Sequence, residues 1–305
     1  MTNMLFQKAY QYKATTEDQG GRLDNCLIAK LKSLPRSKIY SIIRKGEVRV
    51  NGSRAKPSQR VKDGDLIRIP PHSYELKVTK KAEKNLKDKI VDSILIEDKK
   101  FIIIDKPVGV ASHGGSGISL GLIETVRQLG PKYKEAQLVH RLDKDTSGCI
   151  VIALRKSMLR LFHEEMREGR VDKNYTAVVK GQWPASLKKV EMLLSKDRER
   201  SGEREVQVRR DGKKSISEFS LIRSNKDLSL VDCKIITGRT HQIRVHSTHS
   251  GHPIAGDIKY GDKDFNKKLK LKGLNRMLLH ARHINFTELG VEQYSKVPES
   301  FNKFV

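Results

Sequence analysis

Apolar residues along this chain follow two rhythms in turn. Between Gly21 and Leu31, Leu23, Leu27, Ile28 and Leu31 fall on one face of a helix. Pro35 marks a break, Ser37 can cap a second helix over Lys38–Lys45, and Gly46 can end it. Val48 and Val50 then alternate into Asn51-Gly52, a strong hairpin-turn pair. Val61, Asp63-Gly64 and Leu66–Ile69 complete a small sheet before Pro70-Pro71.

After a lysine-rich stretch the rhythm shortens. Strands are expected over Ile94–Ile96 and Phe101–Ile104, then a glycine-rich loop, Ser112–Gly117, and a helix over Ile118–Leu129. Cys149-Ile150-Val151-Ile152-Ala153 is short, β-branched and not alternating, which suits a strand buried on both faces. A helix over Lys156–Glu168 precedes strands over Tyr175–Val179, Val190–Leu194, Ser215–Ile222 and Leu228–Ile236. Thr240–Ser250 reads as a helix and Leu278–Phe286 as a late strand, while Arg198–Lys214, basic and holding Gly202 and Asp211-Gly212, reads as a hairpin or loop, and Lys267–Lys272 is a second basic cluster. The division that follows is a tail or short strand (1–20), a small domain (21–71), a basic linker (72–89) and a larger domain (90–305). Periodicity alone gives an α+β class.

Composition then narrows the partners. Among 305 residues, 61 Lys+Arg against 36 Asp+Glu leave a formal charge of +25, the electrostatic footprint of a protein that meets a polyanion. A membrane surface would also attract it, but no long apolar span or amphipathic anchor is present. Nucleic acid is the better fit. Cys26, Cys149 and Cys233 are odd in number and far apart, and no CxxC occurs, so neither a disulfide framework nor a cysteine-rich zinc site is expected. The first residues lack a hydrophobic signal core, which points to a cytoplasmic protein. His241, His246, His249 and His252 invite a metal reading, yet there is no HExxH and no carboxylate at ligand spacing. The zinc signature of base deaminases is missing, and the GGSG run lacks the GxxxxGK[ST] continuation of a nucleotide cradle. No metal and no cofactor are expected.

The densest chemistry lies in Leu138–Ala153, LVHRLDKDTSGCIVIA, where a charged, donor-rich loop runs into the buried strand. A plain polar turn, with Asp143 and Asp145 satisfying backbone N–H groups, is one reading of it. HRLDKDTSG, however, resembles the signature loop of the RluA-type pseudouridine synthases. Further blocks in matching order are IDKPVG with Ser112-His113, KNYTAVV, TGRTHQIRVH, HPIAGD and Leu279-His280-Ala281, so the likeness runs from about Gly20 to Asn285. The leading segments RLDNCL, SKIYSIIRKGEVRVNG and VKDGDLIRI are similar to the S4 RNA-binding domain.

That resemblance implies an isomerase that turns uridine into pseudouridine in large-subunit ribosomal RNA, free or in precursor particles, on a mixed, largely antiparallel sheet with flanking helices and a central cleft. It assigns the catalytic carboxylate to Asp143, its partner cation to Arg244 and the aromatic beside the uracil to Tyr175. Asp143 has three conceivable roles: addition to C1′, addition to C6, or removal of the C2′ proton. An aspartate is already ionised at neutral pH, and a neighbouring cation keeps it so when substrate excludes water. The target base must leave its stack, at a cost of about a few kcal/mol. Arg141 is placed to fill the gap or hold a phosphate, with His140 and Leu279 grouped on the same RNA side. His140 can instead brace the loop, and Leu279 can be a core or pocket-wall leucine. In the S4-like part, Arg22, Lys32, Arg36, Lys38, Arg44, Lys45 and Arg49 form the expected RNA face, unless they are only a solvated helix surface. The rival readings are a noncatalytic RNA-binding or assembly factor, a synthase for another structured RNA, and a glycosidic hydrolase, which would need a second carboxylate in a paired role. A monomer is expected.

Overall fold

The computed structural model describes residues 4–31, 34–75, 82–115, 120–198 and 204–305. The chain divides into two compact units, Met1–Lys81 and Ala82–Val305.

The first unit holds β1 (Met4–Gln7), β2 (Tyr10–Lys13), α1 (Leu23–Lys30), α2 (Arg36–Arg44), β3 (Arg49–Val50), β4 (Ser53–Arg54), β5 (Leu66–Ile69) and β6 (His72–Glu75). Strands β2, β5, β3 and β4 form one sheet in that order, and β1 pairs with β6. Leu23, Leu27, Ile39, Ile43, Val48, Ile67 and Ile69 make the core, all fully buried. Asn51 and Gly52 both take positive φ (49° and 78°), as a two-residue hairpin turn between β3 and β4 requires. Ser37 does not cap α2. The helix begins at Arg36 behind Pro35, whose φ of −59° and ψ of 145° already set the boundary, so Ser37 lies inside the first turn.

The stretch 72–89 is not a plain linker. Its start is β6, which pairs with β1, and its end is part of a helix, α3 (Lys84–Asp92). Leu86 and Ile90, one turn apart, pack on the core of the second unit while the lysines face away. Two apolar residues at helical spacing suffice once a preformed surface exists to receive them.

The second unit continues with β7 (Ile94–Glu97), β8 (Phe101–Lys106), α4 (Leu122–Val126), β9 (Gln137–Leu138), β10 (Ser147–Ala153), α5 (Lys156–Arg167) and β11 (Val171–Lys180). Then come β12 (Lys189–Arg198), β13 (Arg204–Val208), β14 (Lys213–Ser224), β15 (Leu228–Ile235), α6 (Gln242–His249), α7 (Lys263–Leu271), β16 (Leu279–Phe286) and β17 (Val291–Tyr294). One mixed sheet runs β13-β12-β14-β15-β11-β16-β10-β8-β7, with β17 against β16 and β9 against β10. Among the described residues only β10 and β16 pair in parallel. All seven residues of β10 are buried: Ile150 and Ile152 pack into the core on one face, Cys149 and Val151 into that on the other. The first face also carries Ala177, Val179, Trp183 and Phe219, and the second is covered by Phe162 of α5 stacked edge-on against Phe101 and Phe286.

One expectation changes, and two basic stretches take their places in the fold. The helix forecast for Ile118–Leu129 is confined to Leu122–Val126, started by Glu124 accepting the N–H groups of Gly121 and Gly114; residues 118 and 119 lie outside the described residues. Part of the basic stretch Arg198–Lys214 is a strand, β13, paired with β12 as an arm at the sheet edge. The lysines of 267–272 ride on α7, which buries Leu269.

Candidate active site

The loop before β10 is pinned from several sides. Thr146 N–H donates to Asp143 O at 3.2 Å, closing a turn, and Gly109 N–H donates to Lys144 O at 3.0 Å. Ser112 Oγ donates to Leu142 O at 2.6 Å and accepts Leu142 N–H at 3.0 Å, which fixes the backbone just before Asp143. Lys106, fully buried, spreads its ammonium over the carbonyls of Pro107, Val110 and Lys144 at 3.0, 2.7 and 3.1 Å. Burial brings its pKa down to about 7, against the opposing charges of Asp145 and Asp143. Past the loop, Gly148 has φ of +113°, and an added Cβ would meet Ala281 O at 2.2 Å. Only glycine lets β10 approach β16 that closely.

Arg244 reaches this loop from α6. Its Nη1 donates to Asp143 Oδ2 at 3.0 Å across 101 residues of sequence, while Nε and Nη2 donate to Asp257 at 2.7 and 2.9 Å. Asp257 is 1% exposed and also accepts the backbone N–H groups of Lys259 and Tyr260 at 2.9 and 3.0 Å. Burial acts to raise the Asp257 pKa, but Arg244 and those N–H donors outweigh it and hold it below the ordinary carboxylate value. Burial likewise works against the Arg244 charge, and the two carboxylates overcome it, raising its pKa. The Tyr260 ring lies 4.9 Å beneath the guanidinium. The cation is thus gripped by Asp257 and offered to Asp143 through a single bond.

Tyr175 is buried on β11 in the same core cluster as Leu142, Ile243 and Leu279. Burial first, and the Asp143 charge second, push its phenol pKa up, so the hydroxyl is protonated at neutral pH. Asp143, Arg244 and Tyr175, far apart in sequence, therefore meet at one place. Leu279, 3% exposed, is a wall of that core.

His140 holds the loop to β10: its Nε2 accepts Val151 N–H at 3.1 Å, and burial with the nearby Lys173 charge brings its pKa down to about 3, so it stays neutral. Arg141 is exposed, with Nη1 3.2 Å from His113 Nε2. It borders a cavity of about 350 Å³ shared with Arg239, Thr240, Gly212, Lys213 and Val206.

In the first unit, Arg36, Lys38, Arg44 and Lys45 are exposed on or just after α2. Arg22 is exposed too, but pairs with the buried Asp24 at 2.6 Å, which in turn accepts Tyr40 Oη at 3.0 Å. Lys32 lies outside the described residues.

The four clustered histidines go separate ways. His246 Nε2 meets Ser215 Oγ at 2.8 Å, His249 Nδ1 meets Val245 O at 3.1 Å, and His252 Nδ1 meets Lys180 O at 2.9 Å. His241 alone faces the site, with Nε2 3.7 Å from Asp143 Oδ1. Sequence reasoning gave no role to Asp257, Tyr260, His241 or Lys106. No local signal marked Asp257: on a helix the residues flanking Arg244 point to other faces, so Ile243 and Val245 do not decide whether the arginine is buried.

The family model described as RNA pseudouridylate synthase matches residues 100–249, and that described as S4 domain matches 21–67. The chain belongs to the RluA family of RNA pseudouridine synthases, isomerases of uridine, with an S4 domain ahead of the catalytic one. The "Ribosomal large subunit pseudouridine synthase C" of Haemophilus influenzae is 48% identical over 274 residues, 89% of this chain and 85% of that one. Its namesake in Escherichia coli K12 is 44% identical over 287 residues, 93% and 90% of the two chains. Among solved structures, human RNA Pseudouridylate Synthase Domain Containing 4 superposes with TM-score 0.58 at 27% identity, covering 72% of this chain and 93% of that one. Human RNA Pseudouridylate Synthase Domain Containing 1 gives 0.55 at 26%, covering 68% and 85%. No helix among the described residues is long and apolar enough to cross a membrane.

Proposed function

We propose that this chain converts specific uridines of large-subunit ribosomal RNA into pseudouridine, in the cytoplasm, with Asp143 as the catalytic carboxylate. The observation that carries the reading is the Asp143–Arg244–Asp257 chain: a partly exposed carboxylate held against a buried cation that is itself anchored from behind. The N1–C1′ bond breaks, the uracil turns, C5 bonds to C1′, and the C5 proton is lost as N1 gains one. Atoms balance within the nucleoside, so no co-reactant is consumed. Arg244 sets its positive charge against the Asp143 carboxylate, where it remains when the base displaces water. Tyr175 supplies a flat, neutral face for the uracil, and Leu279 the apolar wall behind it.

The base must be flipped out of its stack to reach Asp143, and the exposed Arg141 takes its place or holds the phosphate beside it. Arg22, Arg36, Lys38, Arg44 and Lys45 of the S4 unit bind RNA phosphates and set where on the RNA the enzyme acts. Two matches support the substrate: the names of the relatives at 44–48% identity and the S4 domain itself. The test is to map pseudouridines in ribosomal RNA from cells lacking the protein, rescued with wild type or with Asp143→Asn. Sites restored by wild type and not by Asp143→Asn bear the reading out; rescue by both rejects Asp143, and no lost site rejects the substrate.

A further inference from the structure

Arg244 gives Asp143 one hydrogen bond, from Nη1, while its Nε and Nη2 donate to Asp257. A carboxylate tied by one oxygen can still turn about its Cβ–Cγ bond. Something else has to set the orientation of Oδ1.

The side chain facing Oδ1 is His241, with Nε2 3.7 Å away. His241 has φ of 52° and ψ of 20°, and with Asn51 it is one of two non-glycine residues at positive φ among those described. Asn51 belongs to a hairpin turn that demands the conformation. His241 is the residue just before α6, where ordinary extended backbone would serve, so the left-handed geometry calls for another reason. What it achieves is to turn the imidazole back over the site. There Nδ1 lies 2.8 Å from Tyr260 Oη, and the two rings meet edge to face at 5.4 Å.

The hydrogen bonds around Tyr260 suit one tautomer of His241. Tyr260 Oη already accepts Val206 N–H at 2.9 Å, so its own proton is free to go to His241 Nδ1. A neutral imidazole accepting at Nδ1 carries its hydrogen on Nε2, the atom that faces Asp143. Burial favours the neutral ring, against the Asp143 charge.

We propose that His241 is a positioning residue for Asp143: its Nε2–H, fixed by the Tyr260 hydroxyl, is the second donor that orients the carboxylate against the target nucleoside. The 3.7 Å separation is longer than a hydrogen bond and closes when RNA fills the site, as contacts of unliganded active sites commonly do. Arg244 holds one oxygen, His241 the other. This assignment rests on Asp143 being the catalytic carboxylate.

The test uses full-length protein in single-turnover assays on a large-subunit rRNA transcript, comparing His241→Asn, His241→Gln, Tyr260→Phe and Asp143→Asn. Asparagine tolerates the left-handed backbone and can still meet Tyr260, but it has no donor at the Nε2 position; glutamine carries an amide N–H out to it. His241→Asn should lower the maximal rate by about ten- to a hundredfold with the half-saturating RNA concentration unchanged, the scale expected for a misaligned reacting group. His241→Gln should restore most of the rate. Tyr260→Phe should fall between them and add nothing to His241→Asn. Wild-type rate in His241→Asn, a His241→Gln variant as slow as His241→Asn, or a loss confined to RNA affinity would each overturn the proposal. If His241→Asn does not fold, Tyr260→Phe decides: a lower maximal rate supports the relay and an unchanged one rejects it. An active Asp143→Asn would instead overturn the reading beneath it.

Discussion

Cutting Asp257 back to alanine separates the structural side of Arg244 from its chemical side. Asp257 is 1% and Arg244 7% exposed, and all four bonds the Asp257 carboxylate accepts would be lost, leaving Arg244 Nε, Arg244 Nη2 and the Lys259 and Tyr260 N–H groups behind. Removing one partner of a buried ion pair costs about 3–5 kcal/mol, because the other charge stays buried. For a unit of the size of Ala82–Val305, at about 2–4 °C per kcal/mol, the melting temperature should fall by about 6–20 °C. Asp143→Ala should cost no more than about 1–2 kcal/mol, since that side chain is 26% exposed and makes one bond to an arginine still clamped by Asp257. Urea unfolding followed by Trp183 fluorescence reads this unit alone, because Trp183 is the single tryptophan and is buried within it. The pH dependence has a defined sign. A carboxylate whose pKa is depressed by folding stabilises fully above its unfolded value of about 3.9 and loses that contribution as pH drops through the folded value. The gap between wild type and Asp257→Ala should therefore narrow below about pH 4. Equal midpoints for Asp257→Ala and wild type, or an equal loss in Asp143→Ala, would refute the division of labour around Arg244.

Asp143→Asn should bind transcript as wild type does and make no pseudouridine, as a tritium-release or sequencing readout of product checks. Tyr175→Phe keeps the ring but not the hydroxyl, so unchanged turnover would confine it to stacking, and loss of product with RNA binding intact would give the hydroxyl a chemical part. RNA affinity should fall with salt at a log–log slope of about −0.7 for each neutralised phosphate of single-stranded RNA. Replacing Arg36, Lys38, Arg44 and Lys45 with glutamine should flatten that slope and raise the half-saturating RNA concentration, leaving the maximal rate alone. Gly148→Ala should not yield folded protein at normal levels in a solubility and melting assay, because its Cβ would collide with the Ala281 backbone.

Much of the secondary structure was legible from local pattern. The Asn51-Gly52 hairpin, the doubly buried Ser147–Ala153 strand and the helices Leu23–Lys30 and Lys156–Arg167 follow from spacing within a few residues. Helix Lys84–Asp92 was not, since its two apolar positions acquire meaning only against the core that receives them. The arm that includes strand Arg204–Val208 was legible only as a hairpin or loop, because a charged edge strand has little apolar signal to separate the two.

The amino-acid sequence by itself determined that this chain carries a polyanion-seeking charge, an S4-like module, and a loop whose residue order marks Asp143. Only the tertiary structure decided which groups surround that aspartate. Arg244, Tyr175 and His241 converge on it because one sheet and one helix bring them together over gaps of up to 101 residues. Asp257 became the anchor for a physical reason no local pattern records: a buried cation is stable only where the fold supplies a second carboxylate.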